Sequence, residues 1–221
     1  MRPDAGSRDR PGRPGTTLPR EEARLVSLSA AIAAGDASAV AAAAQDADED
    51  GAPPEAIYET ILQSYLFVGF PRAIEALFAA RPVLERNRAI PLGARPADPG
   101  TALSAGEALC KAVYGKNYVR LMETMRGLSP DLASWMILEG YGKTLSRSGL
   151  SAAAREYCIV AILTSTRMWR QLRSHAIGAV NVGGTRSGVR EAIALCEPVA
   201  GPATVQEALR VAGLESPDAG R

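Results

Sequence analysis

The sequence predicts an all-α protein, and three observations carry that expectation. Alanine, the strongest helix former, is abundant along the whole chain. No stretch longer than about five residues alternates apolar with polar side chains, as a half-buried strand does. Capping residues and prolines open the segments of helical spacing, and glycines close them.

Taken in order, residues 1–19 are rich in Pro, Gly, Arg and Asp and read as a disordered tail without the apolar core of a signal peptide. A first helix begins near Pro19 and stops at Gly35. Asp36 caps a second helix, which runs into an acidic patch of Asp46, Asp48, Glu49 and Asp50. Pro53 and Pro54 open a third, with Glu55 in the first turn where the helix dipole favours negative charge. Ile57, Ile61, Leu62 and Tyr65 keep its apolar face. Gly69-Phe70-Pro71 breaks the chain before a fourth helix. The Pro- and Gly-rich stretch 82–102 reads as an extended linker. Ser104 and Glu107 have the spacing of a capping box for the next helix. Ser129-Pro130-Asp131 starts another, which places Leu132, Trp135, Met136, Glu139 and Gly140 on one side. Ser151 and Thr185 cap two further helices, and Val205–Ala212 forms the last before a polar tail at 214–221.

The totals exclude several classes of function. A net charge of +1 exerts no general pull on nucleic acid or an anionic membrane. No apolar run approaches the roughly 18 residues of a membrane span. Three cysteines at wide spacing, Cys110, Cys158 and Cys196, with a single histidine make neither a disulfide framework nor a zinc motif. Reduced, buried thiols and a cytoplasmic location are the expectation. No metal or cofactor is expected.

The chain also repeats. An offset of 132 lays residues 24–80 over 156–212, placing Gly51 on Gly183, Gly69 on Gly201 and Glu75-Ala76-Leu77 on Glu207-Ala208-Leu209. The implied division is a first repeat at 20–81, the linker, and a second repeat with its upstream helices at 103–213. Glu156 and His175 belong to the second copy; their counterparts in the first are Arg24 and Ala43. The first copy therefore reads as degenerate. Its acidic patch faces a second copy with five arginines and no acid between Tyr157 and Arg190, so complementary packing of the two is expected.

His175, the only histidine, sits on the helix after the one that carries Glu156. The short turn at Thr164–Arg167 makes these helices antiparallel neighbours, and similar rises on either side let the two side chains meet. A carboxylate beside an imidazole fixes its tautomer and suits it to proton transfer. Arg167, Arg170 and Arg173 either bind a carboxylate nearby or form a solvated helix face.

At these residues the sequence resembles the carboxymuconolactone decarboxylase family, whose relatives include the alkylhydroperoxidase D-like proteins. The shared pattern is Arg155-Glu156, an apolar run to Leu163, Leu172-x-x-His175, Ala179 and the Gly183 turn. Segments at Val113–Val119, Tyr141–Leu150 and Gln63–Ala73 resemble other motifs of the family, with Ser148 in place of a usual proline. The resemblance implies a tandem repeat of an alkylhydroperoxidase D-like helical domain. Peroxidase relatives carry a Cys pair seven and four residues before the histidine; here those positions are Met168 and Gln171, so thiol peroxidase activity is not expected. What the resemblance implies instead is a cofactor-free lyase acting on a small carboxylated lactone or keto acid. His175 and Glu156 are then the catalytic pair, and Arg173, Arg147 and Arg170 the binders of a small anionic substrate. It also implies self-association, as a homotrimer. The alternative is a non-catalytic oligomeric scaffold that has kept the fold.

Overall fold

The computed structural model describes residues 17–87 and 98–215, and these are helical with no strand among them. Four segments build the first copy. Helix α1 (Arg20–Ala34) ends where Gly35 turns left-handed, at φ 80°. Helix α2 (Ala37–Glu49) starts with the Asp36 carboxylate accepting from the backbone N–H groups of Ser38 and Ala39. Helix α3 (Pro54–Arg86) is two helices joined at a kink, because Gly69 adopts φ 80° and ψ 163° and Pro71 cannot donate to the turn before it.

The second copy repeats this pattern at the same offset. Helix α7 (Ala152–Ser165) corresponds to α1 and α8 (Trp169–Asn181) to α2. Helix α9 (Arg186–Ala194) and helix α11 (Pro202–Val211), with the short α10 (Glu197–Ala200) between them, correspond to the two limbs of α3. The backbone repeats in detail. Gly51 and Gly183 both have positive φ, at 88° and 99°, and Gly69 and Gly201 both sit at φ 80°. Arg167, the only positive-φ residue other than glycine among those described, occupies the position of Gly35.

Between the copies lie helix α4 (Pro99–Tyr114), a 3-10 turn, helix α5 (Tyr118–Leu128) and the short helix α6 (Pro130–Trp135), which continues as a π-helical segment at Met136–Leu145. The copies pack like against like, α1 on α7, and α4 lies across both the π segment and α8. Two glycines let α4 and the π segment touch through their backbones. A Cβ on Gly106 would come within 2.2 Å of the Ile137 carbonyl oxygen, and one on Gly142 within 2.2 Å of the Ala102 carbonyl oxygen.

Several expectations need correction. The linker is shorter than 82–102, since α3 continues to Arg86 and α4 begins at Pro99; residues 88–97 lie outside the described chain. The prolines misled here, because Pro99 occupies a first-turn position where its missing N–H costs nothing. Asp98, not Ser104, caps α4, accepting from Thr101 N–H at 3.0 Å, while the Ser104 hydroxyl donates to backbone carbonyls inside the helix. Of the N-terminal tail, residues 1–16 lie outside the described chain, but Thr17 and Leu18 donate their N–H groups to Glu191 and Leu18 is buried. Leu214, placed in the C-terminal tail, is buried too; residues 216–221 lie outside the described chain. The acidic patch does not face the second copy. Asp50 pairs with Arg20 and Arg24, each at 2.6 Å, Asp46 pairs with Arg24, and Asp48 pairs with Arg86, all partners being on α1 or α3. Among the described residues no helix is long and apolar enough to cross a membrane.

Candidate functional site

Glu156 lies in the second turn of α7 and His175 in the middle of α8. Both are buried, and Nδ1 of His175 lies 2.8 Å from Oε2 of Glu156. A carboxylate accepts, so Nδ1 is the protonated nitrogen and Nε2 is left free of the pair. Gly178, one turn beyond His175, makes room for that carboxylate: a Cβ there would stand 3.2 Å from Oε2 of Glu156 and 2.6 Å from a methyl of Val113. The histidine ring is held edge-on by Phe67, at 5.7 Å between centroids, and by Tyr114, at 6.3 Å.

His175 lines a cavity of about 410 Å³. Most of its wall is apolar, including Leu66, Met125, Leu132, Trp135, Leu145 and Leu163. The polar lining consists of His175, Tyr114, Tyr141, Gln171 and Glu139, and Glu139 is paired with Lys143 at 2.7 Å. The side of the helix singled out in sequence, Leu132 through Gly140, faces this space. That segment is π-helical, a local widening that is frequent at functional sites. Thr144 secures it, since its hydroxyl donates to the Glu139 carbonyl and accepts from Tyr65 of the first copy at 2.8 Å.

The surroundings of the pair hold their protons. Burial pushes the Tyr114 phenol up to about 12 and the Tyr141 phenol well above its ordinary value, with the Glu156 charge adding to both. Cys110, on α4, is pushed up to about 12 by burial and, secondarily, by Glu156. Burial also raises Cys158 to about 11 and Cys196 to about 12. All three thiols are buried, and Met168 and Gln171, at the positions a cysteine pair would take, both line the cavity.

The arginines do not gather round the histidine: none of Arg147, Arg170 and Arg173 lines its cavity. Arg147 is taken up by the buried Glu59, at 2.8 Å, which raises its pKa. Arg173 is exposed on α8, where the solvated-face reading applies. Arg170 is also exposed and lines a neighbouring hollow. A different arginine is central to the interior. Arg155, 2% exposed, donates to Glu59 at 2.8 Å, to Gln63, and to the carbonyls of Arg147 and Ser148. It ties α7, one residue before Glu156, to α3 of the first copy.

The first copy therefore contributes to the site, contrary to a reading confined to the second. Leu66 and Phe67 come from α3, and Glu59 and Gln63 anchor the base of α7. Sequence reasoning did not single out Phe67, Tyr114 or Tyr141 as wall residues. The signal lay in the three outlying motifs, each of which contributes one of them. In the first copy the equivalent of Glu156, Arg24, is spent on Asp46 and Asp50.

Comparison with known proteins agrees with this architecture. The model of the carboxymuconolactone decarboxylase family matches residues 12–82 and 130–213, one segment in each copy. Peroxisomal protein 2 of Schizosaccharomyces pombe is 32% identical over 142 residues, which is 61% of this chain and 63% of that protein. The match thus spans less than two thirds of that relative's length.

Proposed function

The chain belongs to the carboxymuconolactone decarboxylase family, and from that premise we propose that it is a cofactor-free carboxy-lyase acting on a small carboxylated lactone or keto acid. The observation that carries the reading is the buried Glu156–His175 pair, whose histidine lines a cavity of about 410 Å³. In the proposed reaction the bond to the carboxylate carbon breaks and carbon dioxide leaves. The electron pair passes into the conjugated system toward the carbonyl oxygen, and a proton is then returned to carbon. Nε2, bare in the neutral ring, first takes a proton from solvent. The resulting imidazolium, its Nδ1–H held by Glu156, delivers that proton from Nε2 to carbon and returns to the neutral tautomer. Tyr114 and Tyr141, kept protonated by burial, are O–H groups on the cavity wall that can donate to the developing oxyanion. The apolar wall suits a substrate whose ring or chain is uncharged along most of its length.

The test is carbon dioxide release across a panel of carboxylated lactones and keto diacids. His175→Ala is expected to lower turnover by about 10²–10⁴-fold, the usual worth of a general acid. Glu156→Gln, which keeps a hydrogen-bonding oxygen but loses the charge, is expected to lower it less. Full turnover in His175→Ala would sink the proposal. One observation favours the non-catalytic scaffold instead: Phe70, Ile74 and Phe78 form an exposed apolar stripe on α3, with Phe70 67% exposed. Absence of both turnover and ligand-induced stabilisation across the panel selects that reading. A homotrimer, checked by sedimentation, is compatible with either.

A further inference from the structure

A hollow of about 350 Å³ adjoins the histidine cavity, and the two share Tyr114 as a wall. Its floor is apolar, built from Val113, Leu121 and Ile177. Its rim is not. Arg120 reaches it from α5 and Arg170 from α8, with Asn117 beside them. Among the described residues no carboxylate lies within ion-pair distance of either guanidinium. Two of its three hydroxyls already donate to their own helices, Thr124 to the Arg120 carbonyl and Ser174 to the Arg170 carbonyl. The donors left over are the two guanidinium groups, the Asn117 amide and the Tyr114 hydroxyl on the shared wall.

Two exposed arginines from different helices line one concavity with no carboxylate paired to them, so their ten N–H donors face water rather than a charged acceptor. An oxyanion that displaces that water can be gripped by each planar fork through two parallel hydrogen bonds. The histidine cavity has the opposite character: it is large and apolar, and no arginine or lysine lines it. A ligand with an apolar body and one anionic end fits the two chambers as neither chamber alone would hold it.

We infer that the Arg120–Arg170 hollow is an anion subsite that holds the carboxylate or phosphate end of a ligand whose apolar body occupies the histidine cavity across Tyr114. The subsite stands on its own donors; only the identification of its ligand with the substrate rests on the lyase reading. Arg170 thereby keeps a binding role, at a place removed from the imidazole. The group held there is not the carboxylate that leaves as carbon dioxide, so a substrate bound this way carries a second anionic group, remote from the reacting carbon.

Two measurements test this on the whole chain. Inorganic phosphate is titrated into nitrogen-15-labelled protein. Saturable shifts are expected at the amides of residues 115–120 and 170–174, and the double variant Arg120→Gln/Arg170→Gln is expected to bind at least about tenfold more weakly. His175→Gln is expected to bind phosphate as the wild type does, so loss of turnover and loss of the subsite are read separately. The second measurement compares 4-phenylbutyrate with its primary amide. The acid is expected to bind more tightly to wild type, and the preference to vanish in the double variant. A stronger response to phosphate than to the acid assigns the site to phosphate esters, and the reverse to carboxylates. The absence of saturable phosphate binding, undiminished binding in the double variant, or equal affinity for acid and amide overturns the inference. Both arginines are exposed, so the variants fold, and circular dichroism verifies it.

Discussion

At the scale of single residues, Glu59 is as telling as the histidine. It is 1% exposed and carries two guanidinium groups, those of Arg147 and Arg155. Buried ion pairs gain little over a well-packed apolar replacement, but breaking one from a single side strands a charge. Arg155→Met leaves Glu59 with Arg147 alone and takes the donor from Gln63 and from the carbonyls of Arg147 and Ser148, so it is expected to cost about 1–3 kcal/mol in urea unfolding. Adding Glu59→Leu is expected to recover part of that loss, because the buried carboxylate is then gone. The same residues show what sequence can and cannot supply about the site. Glu156 and His175 were legible because helix rise and a short turn constrain where two side chains on consecutive helices meet. Arg147 reads in sequence as a substrate binder and Arg155 only as part of a motif, and neither reading reaches Glu59. Whether an arginine faces a cavity or an internal carboxylate depends on a partner 88 or 96 residues away, and no local spacing encodes that.

At the scale of elements, caps and glycines accounted for most of the fold. Asp36, Ser129, Ser151 and Thr185 all act as the N-caps their positions suggested, each accepting from a backbone N–H two or three residues on. The π segment was not legible, since its side chains keep ordinary apolar patterning; it packs closely on α4. That contact yields a prediction. Gly106→Ala or Gly142→Ala drives a methyl into a backbone carbonyl that no side-chain rotation can clear. Each is expected to cost about 1–3 kcal/mol, seen as a lower urea midpoint at unchanged slope. The repeat adds a correspondence beyond motif matching. In the first copy Arg72 donates to the Ala33 carbonyl and packs over Gly35. In the second, Arg167 stands at the position of Gly35 and donates to Thr204, at the position of Arg72. The same tie between helices is thus made from opposite ends.

At the scale of the whole molecule, the interior keeps protons that an unfolded chain would release. Thiols with an ordinary value of 9.0 are held at about 12, 11 and 12 for Cys110, Cys158 and Cys196. Below pH 9 both states are protonated and the stability is fully present. Between about 9 and 12 the unfolded chain binds fewer protons than the native one, so stability falls as pH rises. Urea unfolding at pH 8 and pH 10.5 is expected to show that fall, and a thiol reagent at pH 8 is expected to label none of the three cysteines until denaturant is added. The packing of α1 on α7 has a consequence in time rather than in space. The two helices are separated by 132 positions, and at roughly 5–20 residues per second the ribosome needs roughly 7–26 s to make the second after the first. Throughout that interval Leu25, Leu28 and Ile32, all buried at the end, are covered by α2 and α3 at most. The copy without the acid–base pair is thus made before its partner and completed only with it, and a chain released before residue 152 leaves α1 without the cover that α7 provides.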